Sequence, residues 1–203
     1  MRSPDEVGQR RPAIEPSHDD LRTTDVNRAI EQGVSLTDYD PTWPAQFEVE
    51  RARLDAAFPG TFVAIEHIGS TAVPGMQSKP LIDMLAGVRT MDEAFALNKT
   101  IHRAGYATSA VVNGSLTTRQ WFMRQSGGHR THHLHVVVHG SEDWDARIGF
   151  RDRLRDDPDL RSRYLALKED LVERFAEDRE SYTEGKSAFI AEAVRTDPKR
   201  KNR

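Results

Sequence analysis

A glycine-rich turn and the lysine that follows it have the residue types of a phosphate-binding loop. The turn is Gly69-Ser70-Thr71, and Lys79 comes shortly after it. Gly69 allows the backbone to approach a ligand closely, and the N–H and hydroxyl groups of Ser70 and Thr71 can surround phosphate oxygens. Lys79 adds a positive charge suited to the same anion. Such turns are also common in ordinary loops, so the turn alone favours a structural role. Together with Lys79 and the carboxylate of Asp83, it favours phosphate binding.

The carboxylate of Asp83 lies within a strand-like run of apolar residues, 81–88. The two-residue period of a strand puts Asp83 on the same face as Leu81 and Leu85. A carboxylate among apolar neighbours is costly unless it meets a metal or a cation. The structural alternative is a core aspartate that accepts hydrogen bonds from the loop backbone.

A run of histidines, 131–138, provides the second group of candidate residues. Alternation along a strand places His133 and His135 on one face and His132 on the other. Two imidazoles at this spacing can ligate one metal, and either can act as an acid, a base or a phosphate donor. They are equally compatible with solvent exposure or ordinary hydrogen bonds. His67 would add a third imidazole if its strand is a neighbour.

Arginines and lysines supply candidate ligands for an anion. Arg119 and Arg124 enclose a run with two aromatic residues, which suits a base or acyl group stacked beside a phosphate. A half-buried edge strand would give the same pattern. Arg151, Lys168 and Lys186 lie on or near the apolar faces of predicted helices, where charged side chains usually extend outward from the helix border.

Composition limits the class of protein. The chain has 203 residues, 37% hydrophobic and 30% charged, and a formal net charge of −3. Proteins that bind nucleic acid over their whole surface are usually basic, so we expect no nucleic-acid partner. The absence of cysteine excludes disulfides, thiolate zinc sites and cysteine nucleophiles. No apolar run approaches the roughly 18 residues of a membrane helix, and none follows Arg2 as in a secretory signal. We expect a cytoplasmic protein with no membrane partner.

The order of predicted elements is strands first and helices last, which indicates an α+β fold. We predict a mixed β-sheet with flanking helices and a helical C-terminal part. Residues 1–33 are charged, contain several prolines and lack periodic apolar residues, so we predict a flexible N-terminal arm. The folded domain is predicted over 34–196, followed by a basic tail, 197–203.

Three local features refine this prediction. The pair Asn113-Gly114 is a strong signal for a tight hairpin between two strand-like runs. Gly127-Gly128 indicates a second turn, just before the histidine strand. A helix after residue 90 is predicted to place Phe95 inward.

Motifs spread along most of the chain resemble the GrpB family (UPF0157-type). They occur in the family's order, from about Val34 to Val194. The motifs are Asp38-Tyr39-Asp40-Pro41-x-Trp43, 66–75, 79–83, His133-Leu134-His135-Val136, Phe150-Arg151-Asp152-x-Leu154-Arg155, Tyr164-x-x-Leu167-Lys168 and Tyr182-Thr183-x-x-Lys186.

The resemblance implies a nucleotidyltransferase-like fold, in which a Gly-Ser turn binds the triphosphate and a strand supplies two metal-binding acids. Gly69 and Ser70 match the turn, and Asp83 matches the first acid. The position of the second acid holds Leu85. Two-metal phosphoryl transfer needs ligands for both ions, and one carboxylate cannot supply them. Either other ligands complete the site, with His133, His135, Glu66 and His67 as candidates, or the usual mechanism does not operate.

The leading hypothesis is therefore a metal-assisted, nucleotidyltransferase-like enzyme that acts on a nucleotide or another phosphorylated small molecule. The metal would be magnesium or manganese, or zinc if histidines ligate it. The candidate catalytic residues are Asp83, Ser70, Lys79 and His135. The candidate phosphate-binding residues are Gly69, Ser70, Thr71, Lys79, Arg119, Arg151 and Lys168. The candidate metal ligands are Asp83, His133 and His135.

Two alternatives stay open. The same pocket would serve a non-catalytic module that binds a nucleotide or a CoA-like ligand, and Leu85 favours this reading. The family also occurs fused behind dephospho-CoA kinase in some bacteria, which suggests an interaction partner for a CoA-pathway enzyme.

Overall fold

The computed structural model describes residues 33–108 and 113–197. The predicted N-terminal arm up to residue 32, the tail from residue 198 and the segment 109–112 lie outside the described residues. None of the helices within the described ranges is long and apolar enough to cross a membrane.

A five-stranded mixed sheet forms the centre of the fold. The strands are β1 (Ala64–Ile68), β2 (Ile82–Val88), β3 (Tyr106–Ala107), β4 (Arg119–Ser126) and β5 (His129–Val138). Their order across the sheet is β1-β2-β5-β4-β3. β2 and β5 run parallel, and the other neighbouring pairs are antiparallel.

The register of these strands brings the predicted site residues together. Asp83 lies opposite His133, and Leu85 lies opposite His135, across the parallel pair β2–β5. On the other side of β5, Trp121 of β4 lies opposite His135. Because opposed residues share a face, Asp83, both histidines and Trp121 project from the same side of the sheet.

Helices cover both faces, which confirms the α+β prediction with its helical C-terminal part. The helices of the described residues are α1 (Trp43–Ala57), α2 (Met91–Leu97), α3 (Glu142–Asp156), α4 (Pro158–Phe175), α5 (Arg179–Glu184) and α6 (Ser187–Arg195).

The main core lies on the face away from Asp83. There α1 and α2 pack on the sheet, with Leu54, Met84 and Leu134 fully buried. On the opposite face, Trp144 of α3 packs against Leu85 in a smaller cluster. This arrangement leaves the Asp83 end of that face to the loop before β2 and to the C-terminal helices.

The C-terminal helices hold the loop between β1 and β2 in place. Val73 and Met76 of this loop are buried against Phe150 of α3, Tyr164 of α4 and Ala193 of α6. The loop that carries the Gly-Ser-Thr turn is thus a packed part of the fold.

The glycine pair before β5 is confirmed as a hairpin turn. Gly127 and Gly128 have φ values of 57° and 78°. Positive φ at both central residues is the geometry that matches the twist of antiparallel strands.

The tight hairpin at Asn113-Gly114 is wrong. Gly114 does not adopt a positive φ, and the Asn113 side chain instead pairs with the backbone of Trp121. Its Oδ1 accepts from the Trp121 N–H at 2.8 Å, and its Nδ2 donates to the Trp121 carbonyl at 3.0 Å. The amide therefore takes the place of a neighbouring strand.

The inward orientation of Phe95 is also wrong, because this side chain is 41% exposed. Ala94 and Leu97 face the core instead. These two positions are three residues apart and so lie on one side of the helix, which points Phe95 away from it.

Candidate functional site

The Gly69 turn and the Asp83 carboxylate form one packed unit. Gly69 has a φ of 71° and a ψ of −171°, a conformation essentially restricted to glycine. A Cβ at this position would lie 2.6 Å from Asp83 Oδ2. Glycine is therefore needed for two reasons: the backbone conformation, and the space that the carboxylate occupies.

A hydrogen bond joins Asp83 to His133. The His133 Nδ1 atom lies 3.2 Å from Asp83 Oδ1, and the side chains are 12% and 30% exposed respectively. Burial raises the pKa of Asp83, but the hydrogen bond from His133 and the charge of Lys79 outweigh it, so the pKa lies well below its usual range. Burial lowers the pKa of His133. We infer a neutral imidazole that donates from Nδ1 to an ionised carboxylate.

The other ring nitrogen of His133 faces a cation. Arg130 Nη1 lies 3.5 Å from His133 Nε2. Because Nδ1 donates to Asp83, Nε2 is the acceptor of the neutral ring. Both nitrogens of His133 are therefore directed at protein groups, which leaves no lone pair facing a metal.

His135 lies beside this pair but makes no contact with Asp83 that would complete a metal site. Its ring centroid is 6.5 Å from that of His133, with the rings nearly perpendicular. Among the described residues, no group of three or more histidines and carboxylates could hold a metal ion. Leu85, at the second acid position, is fully buried in the apolar cluster under α3. The residues present do not fit a two-metal centre.

Two lysines share one aromatic ring beside Asp83. The Nζ atoms of Lys79 and Lys186 lie 5.0 and 4.3 Å from the ring centroid of Tyr182 in α5. Burial and the charges of Lys186 and Arg179 lower the pKa of Lys79 to about 7. Burial also lowers the pKa of Lys186 to about 8, against an opposing effect of Asp83.

Lys168 connects the C-terminal helices to the turn. This lysine of α4 is buried, and its ammonium donates to the Gln77 carbonyl and lies 3.4 Å from Ser70 Oγ. Tyr164 of the same helix also hydrogen-bonds the Ser70 hydroxyl. Burial lowers the pKa of Lys168 to about 8. The hydroxyl of Ser70 is thus positioned by two side chains of α4.

Two arginines extend this positive region. Burial lowers the pKa of Arg179, although Asp83 opposes the effect. Burial and the charge of Arg179 lower the pKa of Arg130 to about 10. The Arg130 guanidinium lies 6.0 Å from the ring centroid of Trp121, and the Trp121 and His133 rings pack edge-to-face with centroids 5.1 Å apart. We call the space bounded by these lysines and arginines, Asp83 and Trp121 the cationic cleft.

Three predicted residues are engaged elsewhere in the fold. The Thr71 hydroxyl donates to the Leu81 carbonyl and lies 3.0 Å from His67 Nε2. Arg151 donates to Glu66 and to the His67 carbonyl at 2.7 and 3.0 Å. His67 is not a third imidazole of the site, because it projects from the opposite face and stacks on the Phe47 ring.

Some residues of the cleft carried little signal in the sequence. Arg130 and Arg179 lie beside turn and helix boundaries, where arginines are usually solvated. Arg147 of α3 approaches the same face of the sheet, as its electrostatic interactions with His135 and Arg119 show. The Tyr182 to Lys186 spacing was a usable signal, because it repeats the helical period on a polar segment.

The fold and the cleft define an α+β protein whose mixed sheet presents one carboxylate within a cationic site. The chain belongs to the GrpB family: the family model described as "GrpB protein" matches residues 33–196. The UPF0157 protein YqkA of Bacillus subtilis is 34% identical over 160 residues, which make up 79% of this chain and 46% of YqkA. This chain therefore spans less than half of that relative.

One solved structure agrees with the family assignment, and two further matches are more distant or cover only part of the matched protein. The crystal structure of the conserved protein GrpB from Enterococcus faecalis is 29% identical, with a TM-score of 0.72, and the match covers 83% of this chain and 100% of that one. The Cid1 poly(U) polymerase has a weaker likeness, with a TM-score of 0.44, 13% identity and coverage of 78% and 49%. A dephospho-CoA kinase of Mycolicibacterium paratuberculosis is 29% identical over 204 residues, covering 90% of this chain and 49% of the kinase.

Proposed function

We propose that this chain binds a phosphate-bearing small molecule of the nucleotide class in the cationic cleft. The observation that carries the proposal is the surplus of positive charge around one ionised carboxylate. Lys79, Lys186 and Arg179 all interact electrostatically with Asp83, yet burial leaves the pKa of each below its ordinary value. A multiply charged anion would stabilise the charged forms of these side chains, which is why such clusters favour phosphates.

Each part of the ligand has a matching part of the cleft. Lys79 and Lys186 would contact phosphate oxygens, and Ser70, oriented by Lys168, would donate its hydroxyl. Trp121 is half-buried on the same face and offers an aromatic surface to a base. Arg119 lies on the same face of β4, two residues before Trp121. These contacts support a nucleotide over inorganic phosphate alone.

A single divalent metal fits this arrangement if it arrives with the ligand. Magnesium is usually held by one or two carboxylates together with substrate phosphates, and not by a cage of protein ligands. Asp83 is ionised and partly exposed, so it would hold one magnesium or manganese ion through its carboxylate. The ion would neutralise phosphate charge. A zinc site on His133 does not fit, because the ring nitrogens of His133 face Asp83 and Arg130.

Nucleotidyl transfer is the enzymatic form of the proposal, and a binding module is its alternative. The low pKa of Asp83 makes its carboxylate a weak base, so it suits ion binding better than proton abstraction. The position of the second metal-binding acid holds buried Leu85, so no second carboxylate is present there. The cleft therefore supports ligand binding more strongly than chemistry.

A third candidate function rests on a relative. The dephospho-CoA kinase above matches this chain over about half of its own length. An interaction with an enzyme of the CoA pathway would not need the cationic cleft. Substitution of Ser70 or Asp83 would then leave the effect on the enzyme intact.

A thermal-shift panel tests the proposal. The ligands are nucleoside triphosphates, CoA and simple phosphates, each with magnesium, manganese, zinc or a chelator. We expect nucleotides with magnesium to raise the melting temperature by several degrees. Lys186→Met should reduce the rise strongly, and Lys99→Met, at an exposed lysine of the opposite face, should not. No rise with any phosphate would contradict the proposal.

Turnover separates the enzyme from the binding module. The panel's best nucleotide is incubated with magnesium and analysed for pyrophosphate or transferred nucleotide. Product that disappears in Asp83→Asn supports the enzyme. Stable binding without product supports the module.

A further inference from the structure

Two buried side-chain nitrogen atoms on the sheet face beyond Asp83 have no hydrogen-bond partner. Within the described residues, neither Arg147 Nε nor His135 Nδ1 has a partner, and both atoms are inaccessible to solvent. Buried polar atoms of this kind are nearly always paired with protein, water or ligand. Two of them in neighbouring side chains indicate a place for an acceptor.

The charge around these donors selects the kind of acceptor. The cations of Arg147 and Arg119 both interact with His135, and they also interact with each other. The nearby carboxylate of Asp143 accepts a hydrogen bond from Thr118 at 2.7 Å. Two guanidinium groups beside an imidazole suit an anionic acceptor better than a neutral one.

The strands fix where this group lies relative to the cationic cleft. His135 is two residues further along β5 than His133, while Lys79 precedes β2 on the other side of Asp83. Two residues of strand extend roughly 7 Å. The Asp83–His133 pair therefore separates Lys79 from the Arg147 group on one continuous sheet face.

We infer that Arg147, Arg119 and His135 form a second anion-binding subsite, which takes a phosphate or carboxylate group at the far end of the ligand. The inference rests on the proposed function for the near end, where Lys79 and Lys186 hold the first phosphate. The ligand class is then a phosphorylated small molecule with a second anionic group. His135 acts here as a donor through Nδ1–H.

The test follows inorganic phosphate and acetate by NMR in the full-length chain. The reporters are the Arg147 Nε–H and His135 ring nitrogens for the second subsite, and the Ser70 amide for the first. We expect saturable shifts at both sets with phosphate. A response of the Arg147 and His135 signals to acetate would show that the second subsite also accepts a carboxylate, whereas a response to phosphate alone would assign it to phosphate.

Substitutions of Arg147 test whether this residue acts at the second subsite alone. Arg147→Gln should weaken phosphate binding at the His135 reporter at least tenfold and leave the Ser70 curve within twofold. Arg147→Lys, which keeps the charge but not the Nε donor, should give an intermediate loss. Arg103→Gln, at an exposed arginine, is the matched control and should change neither curve.

Two outcomes overturn the inference. One is that the Arg147 and His135 signals of the unmodified chain stay unmoved at phosphate concentrations that saturate Ser70. The other is an unchanged His135 curve in Arg147→Gln. If His135 responds and Ser70 does not, the second subsite stands and the proposed function of the first fails.

Discussion

Asp83 can remain ionised within the cleft because three kinds of group face its carboxylate. The His133 imidazole donates a hydrogen bond, Lys79 and Lys186 supply positive charge, and the Gly69 backbone leaves room for Oδ2. These contributions depend on one another. Moving the turn would shift the carboxylate, and neutralising the carboxylate would leave the lysines with repulsion alone.

Gly69→Ala should disrupt this arrangement. The new Cβ would collide with Asp83 Oδ2 at 2.6 Å, in addition to the strain of the positive φ. Backbone strain of this kind costs about 1–3 kcal/mol. We expect the larger end of that range for the free energy of unfolding measured in urea, and loss of nucleotide binding.

Gly60→Ala is the matched control for this substitution. Gly60 also has a positive φ, but nothing lies within 4 Å of its added Cβ. We expect about 1 kcal/mol of destabilisation and unchanged nucleotide affinity. Equal effects of the two substitutions on nucleotide affinity would show that the Asp83 contact is unimportant.

The pKa values of the lysines predict how anion binding depends on pH. Lys79 has a pKa of about 7, and Lys168 and Lys186 have pKa values of about 8. These amines lose protons as the pH rises from 7 to 9, while a bound anion favours their protonated forms. We expect affinity for sulfate, whose charge is constant in this range, to fall as the pH rises.

Calorimetry in buffers of different ionisation enthalpy shows whether protons are taken up or released when sulfate binds. Sulfate binding should be accompanied by proton uptake at pH 8. In Lys186→Met the uptake should decrease. Proton release, or an affinity that rises with pH, would contradict the assignment of these lysines to the anion site.

At the scale of the elements, the strands and turns that position the site followed from local sequence. The period-two runs predicted β2 and β5 closely, and the Gly127-Gly128 turn was correct because two positive φ values have few other solutions. The pairing of β2 with β5 depends on contacts distant in sequence, so the Asp83–His133 contact could not be read from spacing. Spacing also could not show that the two ring nitrogens of His133 face Asp83 and Arg130.

Asn113 shows how a local signal is overridden. Asn113 resembled a turn residue, but it is 5% exposed and its amide binds both backbone groups of Trp121. Side-chain amides of this kind compete with backbone pairing. Asn113 therefore contacts β4 through its side chain and not as part of a regular strand.

Asn113→Ala should consequently destabilise the fold. Two backbone groups of Trp121 would lose their partner, and each unsatisfied buried group costs about 1–3 kcal/mol. Asn113→Asp keeps the Oδ1 acceptor but sets a carboxylate oxygen against the Trp121 carbonyl, so its effect on urea unfolding should be at least as large. If alanine and aspartate are equally mild, the amide pairing does not support β4.

At the scale of the whole molecule, the edge of the sheet is joined to the C-terminal helices. β1 is an edge strand, and its outward backbone groups need partners. Arg151 of α3 supplies one by donating to the His67 carbonyl, while it also pairs with Glu66. These contacts fix α3 to the strand that leads into the Gly69 turn, and α3 in turn packs against α4, which carries Lys168.

Arg151→Met separates this structural role from the phosphate-binding role that the sequence suggested. Arg151 is 8% exposed and its donors contact Glu66, Asp152 and the His67 carbonyl. Losing them should lower the free energy of unfolding by about 1–3 kcal/mol. Nucleotide affinity of the folded protein should change less than twofold.

Lys186→Met should have the opposite profile, because removing one of several mutually repelling cations relieves repulsion in the ligand-free cleft. We expect unchanged or raised stability in urea and a loss of nucleotide affinity of at least tenfold. Stability in urea and nucleotide affinity should both be measured for Arg151→Met and for Lys186→Met. A large loss of nucleotide affinity in Arg151→Met, at unchanged stability, would show that Arg151 contacts the ligand and would place the binding site on the β1 side of α3.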